Sequence, residues 1–270
     1  MNTWVIARST FGEAIRKKIG MYILFTSLIF IVLSQLFASL SMSGSVAQQT
    51  ASSGSLEVQI ITSMAFGIMV IGGLILAIFL SFDLIPSDCE KKTIYTILSK
   101  PVWRWQYVLG KFVGTVMALA VNIAFMGLAL MVVVFAKTMQ IQWPILAGVF
   151  FTFLQFVLLA GISIMLSLLV TRNINVAMCF GFYILGTVNE FWQDIAKAAP
   201  SPVIHWIANF LHVAIPSFYS FNFVNIIVHP ELWKETPTLA HDAAASVLYG
   251  ILWTSGVLVI AVAVFSRKEV

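Results

Sequence analysis

Charge is what this sequence has least of. Of 270 residues only 10% are Asp, Glu, Lys or Arg, while 60% are hydrophobic. Soluble domains carry about 25% charged and about 45–50% apolar residues. With a mean hydropathy of +0.97, the chain is therefore read as a polytopic membrane protein, and counting domains from its length does not apply. Cysteine is nearly missing too. Cys89 and Cys179 do not make a disulfide framework, and each is read as a free thiol packed as a small hydrophobe. Nucleotide and hydrolase motifs are absent. Gly110-Lys111 lacks both the upstream glycine and the following Ser/Thr of a phosphate-binding loop, and neither HExxH nor GxSxG occurs. The chain is expected to be non-catalytic and to bind no cofactor of its own. The first eighteen residues are too polar for the apolar core of a signal peptide, so no cleavable leader is expected.

A second absence lies inside the apolar stretches, whose interiors hold no Asp, Glu, Lys, Arg or His. Ion-coupled transporters place ionisable groups at membrane depth, because something there must bind and release the ion. No such relay is present, so energy for any transport has to come from outside the chain. Asn122 and Gln155 are the main polar side chains at depth. Together with Phe153 and Glu190 they are the candidate substrate path, set against the plainer readings of helix–helix bonding, lipid-facing packing and a carboxylate reaching water. The histidines His205, His212, His229 and His241 show no HxxxH or HxH spacing. Ligands for a metal must converge, so no metal site is expected.

What is present is a series of long apolar runs. Residues 2–18 carry Trp4, Ala7, Phe11, Ala14 and Ile15 at helical spacing, with Arg8, Glu13, Arg16 and Lys17 on the other faces. This pattern predicts an amphipathic helix lying on membrane lipid. Spans are expected at 19–40, 60–82, 107–135, 144–170, 174–190 and 244–265, giving an all-α fold with six transmembrane helices in a single transmembrane domain, 1–270. The fifth is near the lower length limit for crossing a bilayer. Gly72-Gly73 permits close helix approach or a bend in the second span, and Gly110-x-x-x-Gly114 opens the third with a small-xxx-small spacing. Phe150, Phe151, Phe153 and Phe156 give the fourth a dense aromatic face. Residues 191–243 form an outer loop. Within it Val203 to Ala214 has helical spacing between Pro200, Pro202 and Pro216, too short to span, and reads as a re-entrant or interfacial helix.

Six spans put both termini on one side. That side then holds Arg8, Arg16, Lys17, Lys18, Lys91, Lys92, Lys100, Arg104, Lys111, Arg172, Arg267 and Lys268, twelve of the fifteen basic residues. By the positive-inside rule it is the cytoplasmic side. The basic pI near 9.1 is accordingly a topology signal and not a sign of nucleic acid. The longest charged run, residues 83–106 between spans two and three, is then cytoplasmic. Ser87-Asp88-Cys89-Glu90 has capping-box spacing, Ile94, Ile97 and Leu98 follow as an apolar stripe, and Pro101 stops the helix. A short capped helix over 87–100 is expected.

This stretch resembles the permease subunits of the type-2 ABC transporter family. The matching residues are Asp88 and Glu90, Lys92-Thr93, Leu98-Ser99-Lys100-Pro101, Arg104 and Leu109-Gly110-Lys111 with Gly114. Asp88 stands where Glu is commoner, and Trp103 and Trp105 flank the arginine, but the charge is kept. The tail Phe265-Ser266-Arg267-Lys268 also looks like the family's ending. The resemblance implies a cytoplasmic coupling helix seated on a separate ABC ATPase, with Asp88, Glu90, Lys91, Lys92, Thr93, Ile94, Ile97, Leu98, Lys100, Pro101 and Arg104 as ATPase-coupling residues. It implies two ATPase copies that hold the ATP and magnesium, a second permease subunit completing a homodimer, and a place in the inner membrane. It also implies export of a hydrophobic, amphipathic or lipid-like substrate. Two other readings of the same residues stay open: a standalone channel or facilitator, and a non-transporting scaffold coupled to an ATPase.

Overall fold

A computed structural model describes residues 3–16, 18–42, 53–90, 103–140, 142–189, 191, 194, 202–223 and 239–267. Among these residues every regular element is helical. The order is α1 (Thr3–Arg16), α2 (Lys18–Met42), α3 (Ser53–Ser81), α4 (Leu84–Glu90), α5 (Arg104–Thr138), α6 (Pro144–Leu169), α7 (Arg172–Thr187), α8 (Pro202–Ala214), a 3-10 turn at Tyr219–Phe221, and α9 (Leu239–Arg267).

The long helices follow from long apolar runs. Backbone N–H and C=O groups cannot be left unpaired in hydrocarbon, and a helix satisfies them within one segment. Four described helical stretches are long and apolar enough to cross a membrane: Val58–Asp88, Arg104–Thr138, Pro144–Leu169 and His241–Arg267. A fifth is reached if Thr3–Arg16 and Gly20–Ser34 count as one bent span. The expected fifth span is α7, with 16 residues, about 24 Å at 1.5 Å per residue and short of a hydrocarbon core of about 30 Å.

α3, α5 and α6 pack on one another at the centre. α2 lies against α3 and α5, α9 against α6 and α5, and α7 against α6. The core is Phe66, Met69, Leu76, Leu119, Ile123, Met126, Phe156 and Leu159, all buried. Lipid tails are as apolar as these side chains, so burial alone does not drive helices together in a bilayer. Close packing at small residues does. Gly73 is one such place, because a β-carbon there would collide with the Phe156 ring of α6. The aromatic face of α6 accordingly divides. Phe156 and Phe151 are buried, Phe153 is half-buried, and Phe150 is exposed.

Gly110 and Gly114 form a second such place, at the start of α5. A β-carbon at Gly110 would sit 2.7 Å from Ile6 Cβ, and one at Gly114 would sit 2.6 Å from the Ala7 carbonyl oxygen. The small-xxx-small face is therefore the seat of α1, which buries Ile6, Ala7, Thr10 and Ala14 there. This corrects the face expected for the amphipathic helix. Trp4 and Ile15, assigned with Ala7 and Ala14 to one apolar side, are exposed at 62% and 52%. Protein packing takes one stripe of α1 and leaves a second apolar stripe for lipid.

The seat is tight enough to test. Gly114→Leu should destabilise the chain in detergent by about 1–3 kcal/mol, the usual cost of overpacking, and should expose the Arg16 peptide bond to trypsin. Gly67→Ala, where an added β-carbon meets nothing within 4 Å, should leave both readouts unchanged.

Candidate functional site at the charged end of the bundle

Five segments meet at one end of the bundle: α1, the turn and α4 that follow α3, the first turns of α5, the start of α7 and the end of α9. Most of the described charges that pair do so here, and three cations organise them. Lys111, two turns into α5, is 5% exposed. Its Nζ lies 2.7 Å from Asp88 Oδ2 on α4 and 3.6 Å from Glu13 Oε2 on α1. The Tyr107 hydroxyl, one helical turn earlier, donates to the same Asp88 oxygen at 2.6 Å. Residues four apart share a helix face, so Tyr107 and Lys111 grip one carboxylate from two successive turns.

Arg172 opens α7 and reaches back to the segment after α3. Its Nε is 2.8 Å from Asp83 Oδ1, and its Nη2 is bonded to Glu90. Arg104 opens α5, and its Nη1 donates to the carbonyls of Phe265 and Ser266 at 3.1 and 2.8 Å. Those carbonyls belong to the last turn of α9, where a helix has no acceptors' partners of its own. Tyr107 stacks on Phe265 at 5.5 Å. Leu84, Ile85, Val108, Ile164, Leu168, Leu258 and Ala261 pack beneath the polar layer as a separate buried cluster.

The local sequence explains why α4 forms. Its helix runs Leu84–Glu90, with Pro86 in the first turn, where a missing N–H costs nothing. Ser87 is inside this helix and donates its backbone N–H to the Asp83 carbonyl at 3.1 Å. The expected capping box with Ser87 as N-cap is thus corrected: the helix has already begun at Leu84, and the S-x-x-E spacing coincides with its last turn. Residues 91–102, which hold Lys91, Lys92, Thr93, Ile94, Ile97, Leu98, Lys100 and Pro101, lie outside the described residues.

Of the expected coupling residues that are described, Asp88 is buried inside the chain, Glu90 is exposed and pinned by Arg172, and Arg104 fastens α9. Sequence reasoning placed Asp83 in the charged run with Asp88 and Glu90 but did not single out Glu13, Tyr107 or Arg172 as members of this layer. The i, i+4 pair Tyr107 and Lys111 was a usable signal for part of it.

The candidate substrate path is not one site. Asn122 Nδ2 donates to the Ala118 carbonyl of its own helix at 2.8 Å. Gln155 is buried and its Nε2 donates to the Tyr183 hydroxyl at 3.4 Å. Phe153 is half-buried against the core. Glu190 lies outside the described residues. Gln155 therefore bonds between helices, and Asn122 bonds within one.

The far end is built differently, from backbone returns. After α8 the chain folds back so that Ile215, Phe218 and Phe221 are buried. Phe218 donates its backbone N–H to the Gly186 carbonyl at 3.0 Å. Asn189 gives its amide to the His212 and Ile215 carbonyls at 3.4 and 3.2 Å, and its Oδ1 meets His212 Nδ1 at 3.0 Å. Those two donations fix Oδ1 as the acceptor, so Nδ1 of His212 carries the proton. Part of the expected outer loop is thus core. Among the described residues no three His, Cys, Asp or Glu side chains converge as for a metal.

The fold and the charged end define a multi-pass helical membrane protein with a cross-braced charged layer between its second and third long apolar helices. The family model of the ABC-2 family transporter proteins matches residues 4–270, and the chain belongs to that family. It is also similar to a probable ABC transporter permease protein, NosY, of Pseudomonas aeruginosa, being 31% identical over 160 residues. That match covers 58% of this chain and 54% of the relative, about half of the relative's length.

The buried pair sets a stability test. Removing one member of a buried ion pair typically costs about 3–5 kcal/mol, because the other charge is left uncompensated. Lys111→Met should lose stability on that scale in detergent unfolding, and Lys111→Met with Asp88→Asn should recover much of it. A double-variant loss equal to the sum of the two single losses would show that the charges do not depend on each other.

Proposed function

We propose that the chain is the non-catalytic transmembrane permease subunit of an ATP-driven transporter. It works with two copies of a separate cytoplasmic ATPase, which hold the ATP and magnesium, and pairs with a second copy of itself. Six spans place both termini in the cytoplasm of a cell with an inner membrane. The substrate class is hydrophobic, amphipathic or lipid-like, and the direction is export.

The observation that carries this reading is the charged end. The short helix α4 and Asp83 just before it stand between two long apolar helices and are braced by cations to α1, α5 and α7. A lever needs such bracing. If a partner moves residues 84–102, Lys111 passes that motion to α1 and α5, and Arg172 passes it to α7. Coupling of this kind requires two arrangements that a ligand can bias, and nucleotide-driven closure of an ATPase pair supplies the bias. The absence of ionisable groups at membrane depth supports an external energy source. Membership of the transporter family and likeness to a permease point the same way, and twelve of fifteen basic residues on one side support the orientation.

The test is co-purification with a candidate ABC ATPase subunit from the same organism, followed by ATP hydrolysis in lipid. The complex should turn over ATP and the isolated chain should not. Glu90→Ala or Ile97→Asp should reduce association or substrate-stimulated hydrolysis several-fold. Unchanged pull-down together with unchanged hydrolysis would remove the coupling role and favour a channel. A cysteine at position 91 should resist an impermeant thiol reagent added outside intact cells, and labelling there would overturn the orientation.

A further inference from the structure

An apolar groove of about 490 Å3 runs along the outside of the bundle between α2 and α3. It belongs neither to the charged layer nor to the candidate substrate path. On one wall stand Tyr22, Thr26 and Phe30, and on the other Ile68, Ile71 and Ile75. Each set repeats at three or four residues and so forms one helix face. The groove opens away from the protein, since Tyr22 is 67% exposed and Ile71 60%. Its floor is Gly72, against which Ser27 of α2 packs. The missing side chain at Gly72 lets the two helices close beneath the groove.

Three features identify an occupant. The groove spans Tyr22 to Phe30, about 12 Å along the helix at 1.5 Å per residue. That is close to one leaflet's share of a hydrocarbon core of about 30 Å. It begins at the charged end, because Tyr22 is one turn inside the start of α2. And the same helix face continues outward to a cation: Lys18, Tyr22, Thr26 and Phe30 are each four apart. Lys18 is exposed, as is Arg16 at the end of α1. Lysine at a helix end extends its stem along apolar surface and puts its ammonium at the headgroup level. A single line therefore leads from a positive charge at the membrane surface down an apolar slot of leaflet depth.

We infer that this groove is a binding site for one acyl chain of an anionic phospholipid, with the headgroup phosphate held by Lys18 and Arg16. The site lies in the leaflet at the charged end. It also adjoins the junction of α1 and α2, since α1 ends at Arg16 and α2 begins at Lys18, one turn before Tyr22. A lipid bound there props the bend between these two helices. The inference uses the membrane placement of the bundle and not the ATPase partnership, so its test is made on the isolated chain.

Native mass spectrometry of the full chain, purified and supplied with equal phosphatidylglycerol and phosphatidylethanolamine of matched acyl chains, reads the site directly. The wild-type chain should retain phosphatidylglycerol in preference. Lys18→Gln should lower that preference roughly fivefold, the share of one surface cation, without abolishing lipid retention. Thr26→Phe and Ile71→Trp fill the groove from opposite walls at lipid-facing positions and should each remove the retained lipid at unchanged melting temperature. Equal retention of both lipids by the wild type would overturn the headgroup assignment. Retention unaffected by either filled variant would overturn the groove. Loss of a dimer instead of a lipid on filling would show that a second copy covers this face. If one filled variant fails to fold, the other carries the same reading.

Discussion

The structure depends on a lysine that is almost out of reach of water. Lys111 sits on the first turns of α5, 5% exposed, and its ammonium is satisfied by Asp88, with Glu13 nearby and the Tyr107 hydroxyl on the same carboxylate. An ammonium taken from water without partners costs several kcal/mol even after relaxation. The arrangement therefore stands or falls together: α4 must bring Asp88 to α5, and α1 must lie against α5 with Glu13 toward the same lysine. Three segments far apart in sequence acquire one register from one charge. Such a pair adds little net stability compared with an apolar packing of the same shape, and what it supplies here is position.

The neighbouring contacts work to the same end by other means. Gly110 and Gly114 bring the α1 backbone within van der Waals distance of α5, where a side chain would hold it off. Arg104 fastens the last carbonyls of α9 to the first turn of α5, and Arg172 fastens α7 to both ends of α4. The far end has no comparable ionic layer among the described residues. It is closed by Asn189, His212 and the buried phenyl rings of Phe218 and Phe221. One end is braced as a unit by charge, and the other is packed from returning backbone. That asymmetry suits the proposed coupling at the charged end.

Much of this fold was legible because hydrocarbon leaves a chain few options. Long apolar runs must be helical, and the helices α5, α6 and α9 cover the runs that hydropathy marks. The helix at Pro202–Ala214 lies between the prolines that bracket it. What sequence could not supply was partnership. Arg172 is 82 residues from Glu90 and Lys111 is 98 from Glu13 in the chain. No local period encodes such pairs. Capping-box spacing at Ser87 misled because the helix begins three residues earlier, at Leu84, with Pro86 in its first turn. The apolar face of α1 was misjudged because a helix with α5 on one side and lipid on another has two apolar stripes. Asn122 attracted notice as a polar group at depth, yet its amide bonds its own helix.

The central claim is that the segment after α3 moves α1 and α5 as one body through Lys111. Hydrogen exchange on the chain assembled with the proposed ATPase, with and without a non-hydrolysable nucleotide, measures this most directly. The account predicts that peptides covering residues 3–16, 84–90 and 104–115 change protection together on nucleotide binding. It further predicts that Lys111→Met leaves the change at 84–90 while removing it at 3–16. Protection at 3–16 that responds equally in the wild type and the variant would contradict it.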